Sequence, residues 1–234
     1  MGIAISGTNA YFVKIAASPA ARSTFVKNII DFAKRYNLAG VDMDWEYPST
    51  TDGSDAGFVL LMKELSAALH QNQMFLSAAI TAGVYAGGVR EGIRPEVFPH
   101  VDFFNIMQYD GPNYDPTEPL NHASYKMSVA SLDQWLITKN MPKEKAVMGI
   151  PLYGRSSNAS KGYRDIEASG ADINLNLANV QGVDYGFNGL KLVRQKVQLA
   201  KERVNGLMFW EFSHDSNTEN SLIKAANDEL GRAY

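Results

Sequence analysis

The chain has 234 residues, 45% hydrophobic and 20% charged, with 22 lysines and arginines against 25 acids and no cysteine. That is a globular composition, which excludes a disordered, collagen-like or coiled-coil chain. The balanced charge excludes an electrostatic footprint for nucleic acid or anionic membrane. The lack of cysteine excludes a disulfide frame, a thiolate metal site and a cysteine nucleophile. The longest uncharged stretch, 75–89, is too short and too rich in Gly, Ser and Thr to span a bilayer, and no charged-then-apolar leader opens the sequence.

A strand is predicted over 2–6, where the chain opens. Ser18-Pro19 then reads as an N-cap followed by proline at the first helical position. Behind it Phe25, Ile29, Phe32, Ala33 and Tyr36 form one apolar helical stripe. A second strand is predicted over 40–46, and a helix with its cap at Asp55 carries Phe58, Leu61, Met62, Leu65 and Leu69. Further strands follow over 75–81, 101–109 and 146–152, with a helix over 125–139 before the last of these. Leu190, Val193, Val197, Ala200 and Val204 mark another helix, a sixth strand spans 206–212, and a final helix spans 221–230. Trp135, on the helix over 125–139, reads as core.

Near-continuous apolar strands alternating with helices mean a parallel α/β architecture, an open doubly wound sheet or a (β/α)8 barrel. No low-complexity linker or charge block divides the chain, so 1–234 is expected to form a single catalytic barrel domain. Eight βα units need about 250 residues, and six strands are counted. The barrel is therefore expected to be incomplete, short by two units at its start.

The segment Gly40-Val41-Asp42-Met43-Asp44-Trp45-Glu46-Tyr47-Pro48 carries the chemistry. Strand alternation puts Asp42, Asp44 and Glu46 on one face and Val41, Met43 and Trp45 on the other. In a parallel barrel the acidic face points inward, and Glu46 stands at the C-terminal mouth where such barrels place their active sites. Three carboxylates in one file cannot all ionise cheaply, so one proton is retained. On Glu46 that proton makes a general acid. An Asp-x-Asp pair can also bind a divalent cation, as in nucleotide-sugar transferases. The sequence lacks a calcium-hand loop, no histidine lies near the acids, and the four histidines show no ligand spacing. No metal and no cofactor is expected.

These residues, from Leu38 to Pro48, resemble the signature of glycoside hydrolase family 18, the chitinases. The resemblance continues in order. Val101-Asp102-Phe103-Phe104-Asn105-Ile106-Met107-Gln108-Tyr109-Asp110 is similar to the family's sixth strand, Gly149-Ile150-Pro151-Leu152-Tyr153-Gly154-Arg155 to its seventh, and Gly206-Leu207-Met208-Phe209-Trp210-Glu211-Phe212 to its eighth. The strands would thus be the family's third to eighth. The resemblance implies a retaining, substrate-assisted hydrolysis of β-1,4-linked N-acetylglucosamine, an exception to the two-carboxylate scheme. Glu46 would be the acid and base, Asp44 the partner of the acetamido group, Asp42 its support, and Tyr109 the donor to the attacking carbonyl. Trp210 would be the apolar floor under the sugar, with Asp110, Met107, Tyr153 and Arg155 around it. Chitin or its oligosaccharides would be the partner, which implies a location outside the cell.

The match departs from the family in three places. Ala39 stands where the family has its first signature Asp. Ala4-Ile5-Ser6-Gly7 replaces a Ser-x-Gly-Gly segment whose serine helps hold the inner acid, so weaker anchoring of Asp42 is expected. The family's first two strands have no counterpart, which predicts an exposed sheet edge. The roughly 50 residues between Arg155 and Gly206 leave no room for the family's α+β insertion, and a shallow, open groove is expected. Rival readings are an endo-β-N-acetylglucosaminidase on glycans or peptidoglycan, a non-catalytic chitin-binding module, and a metal-dependent sugar transferase using Asp42 and Asp44.

Overall fold

The computed structural model describes residues 2–4, as backbone, and 9–232. The chain divides into two compact units, one holding the residues up to Ile106 with Gln134–Ala146, the other Met107–Asp133 with the residues from Val147 on. No helix among the described residues is long and apolar enough to cross a membrane.

The first unit opens with β1 (Gly2–Ala4), α1 (Asn9–Ala17), α2 (Pro19–Arg35), β2 (Gly40–Asp44), α3 (Ser54–Gln71), β3 (Phe75–Thr81), α4 (Gly88–Gly92) and β4 (Phe103–Met107). Its strands lie in the order β1-β2-β3-β4. β1 runs parallel to β2 with Gly2 opposite Asp42, and β2 parallel to β3 with Asp42 opposite Ser77. Positions 5–7, within or beside the predicted first strand, lie outside the described residues. One face of each strand is apolar and sealed: Val41, Met43 and Trp45, then Leu76, Ala78 and Ile80, then Phe104 and Ile106, each at most 1% exposed. Against them pack Phe12, Ala33, Phe58, Leu61 and Leu65 of the helices. Trp45 stacks on Phe12 at 5.2 Å, meets Phe58 edge-on at 5.7 Å, and donates its indole N–H to Asn9 Oδ1, so it packs as its strand parity predicts.

The local signals at the helix ends hold in one case and fail in the other. Ser18 caps α2, its Oγ accepting from Ala21 N at 3.3 Å, with Pro19 at the first position. α3 instead begins at Ser54 behind Gly53 in the left-handed region at φ 72°, without a side-chain cap. Asp55, predicted to be that cap, is buried one position inside and accepts from Arg94 Nε at 2.6 Å. A partly exposed guanidinium outcompetes the helix terminus for this carboxylate.

The second unit holds α5 (Tyr125–Leu132), β5 (Ala146–Pro151), β6 (Tyr153–Arg155), β7 (Ser160–Gly162), α6 (Tyr163–Ala168), β8 (Leu177–Val180), β9 (Val183–Gly186), α7 (Leu190–Arg203), β10 (Gly206–Trp210) and α8 (Leu222–Glu229). β10 is parallel to β5. The helix predicted over 125–139 is α-helical only to Leu132, and a π-helical turn continues it over Asp133–Thr138. Trp135 on that turn is fully buried and donates to the carbonyls of Thr81 and Ala82, both at 3.1 Å. The stretch after Arg155 carries more regular structure than its sequence predicts. An antiparallel sheet in the order β7-β6-β9-β8, with α6, fills 153–186. Its strands are three or four residues long, too short to show an alternating pattern. Asp184 there accepts from Asn179, and Tyr185 is buried.

Among the described residues β1 pairs only with β2, and β10 only with β5. Each of these two strands has one open edge, as the strand count predicts.

Candidate active site

In the first unit the inward faces of β2, β3 and β4 carry polar side chains among apolar ones, where the outward faces are sealed and apolar. Asp42 and Asp44 are half-buried on this face, and Glu46, just past the end of β2, is exposed. Asp42 is held from two neighbouring strands: Ser77 Oγ donates to its Oδ1 at 2.5 Å and Asn105 Nδ2 at 3.0 Å. The weaker anchoring expected from Ala4 is therefore met by donors from β3 and β4. The sequence offered a signal for both residues, since each is a polar side chain at an inward position of a largely apolar strand.

Of the acidic file, the middle member is the one held most strongly toward its protonated form. Burial, then the negative charges of Glu46 and Asp42, then a hydrogen bond shared with Glu46, push Asp44 up to about 6. The sequence reading placed the retained proton on Glu46; in the structure Asp44 lies deeper and has acids on both sides. Asp44 Oδ1 is buried and has no hydrogen-bond partner among the described residues.

In the second unit a compact cluster forms around Asp110, which follows β4 and adopts a left-handed backbone at φ 60°. Tyr153 Oη donates to its Oδ1 at 2.7 Å, Arg155 Nη1 lies 2.8 Å from the same oxygen, and His122 Nδ1 lies 3.3 Å from it. Burial works against ionisation of Asp110, but the Arg155 guanidinium and the hydrogen bond from Tyr153 Oη, with the His122 ring beside them, outweigh it and hold the carboxyl well below the usual range. The same arrangement, burial first and the Asp110 charge second, pushes the Tyr153 phenol upward. Tyr153 is 8% exposed, so it supports Asp110 from below rather than lining an open surface. Tyr109 is half-buried, its ring edge-on to Tyr153 at 6.3 Å, and Met107 is buried. Trp210 ends β10 with 52% of its surface exposed.

Asp42, Asp44 and Glu46 thus belong to one unit, and Tyr109, Asp110, Tyr153, Arg155 and Trp210 to the other. The profile of glycosyl hydrolases family 18 matches residues 1–215. The chain belongs to that family. The Drosophila melanogaster protein named "Probable chitinase 2" is 33% identical over 171 residues, 67% of this chain and 34% of its own length. The chain thus spans about a third of that curated relative. A class V chitinase mutant from Cycas revoluta, solved with (GlcNAc)3, superposes with a TM-score of 0.84 at 26% identity, over 99% of this chain and 80% of that one. A chitinase-like agglutinin from Robinia pseudoacacia gives 0.84 at 24% identity, with the same 99% and 80% coverage, and shares the fold. The family 18 fold here is the parallel α/β type of the TIM barrel, with six strands in its parallel sheet among the described residues.

For the family 18 chain, the acidic file makes a testable contribution to stability. Folded Asp44 keeps its proton up to about 6, and the unfolded group releases it near 3.8. Between these values the folded state binds the extra proton, so stability falls as pH rises and the loss is complete above about 6. Asp44→Asn, neutral at every pH, is expected to raise the thermal midpoint well above pH 6 and to leave it unchanged well below 3.8. A midpoint that does not rise at neutral pH would contradict the burial and repulsion assigned to Asp44.

Proposed function

We propose that the chain is a glycosidase of chitinase type, cleaving β-1,4 N-acetylglucosamine linkages with retention through the substrate's own acetamido group. The observation that carries this reading is the file on β2, in which Asp44, its Oδ1 buried and without a partner among the described residues, lies between Asp42 and an exposed Glu46 at the strand's end. Family membership supports the substrate class, as does the (GlcNAc)3 in complex with the Cycas revoluta chitinase mutant.

The proton shared by the Asp44–Glu46 pair passes from Glu46 to the glycosidic oxygen as the bond to the anomeric carbon breaks, which leaves Asp44 ionised. The acetamido carbonyl oxygen bonds to that carbon and forms an oxazolinium ion. Water then attacks the same carbon, Glu46 takes the water's proton, and the amide is restored. Asp44 Oδ1, buried and unpartnered, is the acceptor for the acetamido N–H and stabilises the positive charge that develops there. Tyr109 donates to the attacking carbonyl and Trp210 stacks under the pyranose. Asp110, kept ionised by the donors on Arg155 and Tyr153, accepts from the sugar. Polymeric chitin lies outside cells, and action on it places the protein there.

The test is incubation with an N-acetylglucosamine tetramer while proton NMR follows the new reducing ends. The β anomer should appear first, and excess chelator should leave the rate unchanged. Tight binding without cleavage would make the chain a chitin-binding module. Loss of activity on chelation would favour the metal-dependent transferase.

A further inference from the structure

Every partner of the Asp110 carboxylate falls on Oδ1, so among the described residues Oδ2 stays available as an acceptor. The residue sits at φ 60°, a left-handed conformation that a non-glycine residue keeps only where its surroundings impose it. The group that imposes it is His122, which is fully buried. Asp110 N donates to His122 Nδ1 at 3.0 Å, and His122 Nε2 lies 3.1 Å from the Tyr153 carbonyl. The ring also lies over that of Tyr153, with centroids 4.9 Å apart and planes 33° apart.

A carbonyl oxygen only accepts and a backbone N–H only donates. Nε2 must therefore carry the hydrogen and Nδ1 must be bare. The competing contact, Nδ1 to Asp110 Oδ1, is longer at 3.3 Å and would need a cationic ring. The loop that carries His122 is fastened on both sides of it. Gly111 N donates to the His122 carbonyl at 2.8 Å, and the Ala123 carbonyl accepts from Lys196 Nζ at 2.6 Å and Asn188 Nδ2 at 3.0 Å.

We propose that His122, as the neutral Nε2–H tautomer, is a positioning residue that locks Asp110 and Tyr153 together and turns Asp110 Oδ2 toward the sugar. This inference rests on the glycosidase reading for its substrate. Its physical content, a ring that accepts from one residue and donates to the other, stands without it.

The first measurement is 15N NMR of histidine-labelled wild-type protein at neutral pH, with the His122 signals assigned by their loss in His122→Gln. An Nε2–H tautomer is expected, and an Nδ1–H or doubly protonated ring overturns the proposal. The second is steady-state kinetics on the tetramer with three variants. His122→Phe keeps the ring and loses both hydrogen bonds, and should cost up to about 10²-fold in kcat/KM through both kcat and KM. His122→Asn restores an acceptor near Nδ1 and His122→Gln a donor near Nε2, so each should recover part of that loss. A folded His122→Phe with wild-type kcat and KM overturns the proposal, as does an equal loss in all three variants that merely follows their thermal midpoints. If wild-type protein binds the tetramer without cleaving it, the glycosidase reading falls. Calorimetric Kd values across the same variants then decide the positioning role, with the same order expected.

Discussion

Replacing Glu46 by glutamine is expected to lower kcat on a chromogenic chitobioside by about 10²-fold or more, with KM changed little. The amide matches the carboxyl in size and cannot donate a proton to a leaving oxygen. Glu46 is exposed beyond the end of β2, so the change leaves the sealed face of the strand untouched. The substitution has a second readout that does not depend on turnover. The Glu46 charge and its shared hydrogen bond are two of the causes that push Asp44 up, after burial. Glu46→Gln removes the charge, so the Asp44 titration followed by 13C NMR should move down while staying above 3.8, because burial and Asp42 remain. A variant that turns over at the wild-type rate would remove Glu46 from its role. An unchanged Asp44 titration would break the coupling between the two acids.

The architecture was legible because strands sealed on one face announce themselves. Val41, Met43 and Trp45 had to be covered: all three are buried, and Trp45 packs on Phe12 and Phe58. The acidic file was legible for the converse reason: nothing about packing accounts for three acids on one side of a strand. Which acid keeps the proton was not legible, because it depends on depth and on neighbours two residues away in both directions. The cap predicted at Asp55 failed for a related reason, since Arg94 lies 39 residues further along the chain. The short strands of 153–186 escaped because three residues carry no period. His122 left no signal at all, since its meaning comes from Asp110 on one side and Tyr153 on the other, 12 and 31 residues distant.

Lys196 is the other residue whose sequence position hides its circumstances, and replacing it by methionine is expected to stabilise the protein. It falls between Val193, Val197 and Ala200 on the buried stripe of α7 and is itself fully buried. Its Nζ reaches the Ala123 carbonyl, just before Ser124, which caps α5 with its Oγ accepting from Met127 N. A helix N-terminus repels a cation, and no carboxylate touches the ammonium among the described residues. Burial pushes Lys196 down to about 7, against a weak upward pull from Glu118. The unfolded chain keeps this proton to about 10.5. Between about 7 and 10.5 the unfolded state therefore binds more protons, and stability should rise with pH. Below about 7 both states are charged, and the whole cost of burying the ammonium persists, on the order of a few kcal/mol. Methionine has a similar length and no charge to bury, and Asn188 still donates to the Ala123 carbonyl at 3.0 Å. Urea unfolding of Lys196→Met should give a higher midpoint than wild type at pH 7 and should lack the alkaline rise. If the variant is instead the weaker protein at pH 7, the hydrogen bond to Ala123 outweighs the buried charge, and Lys196 holds this loop as a net stabiliser.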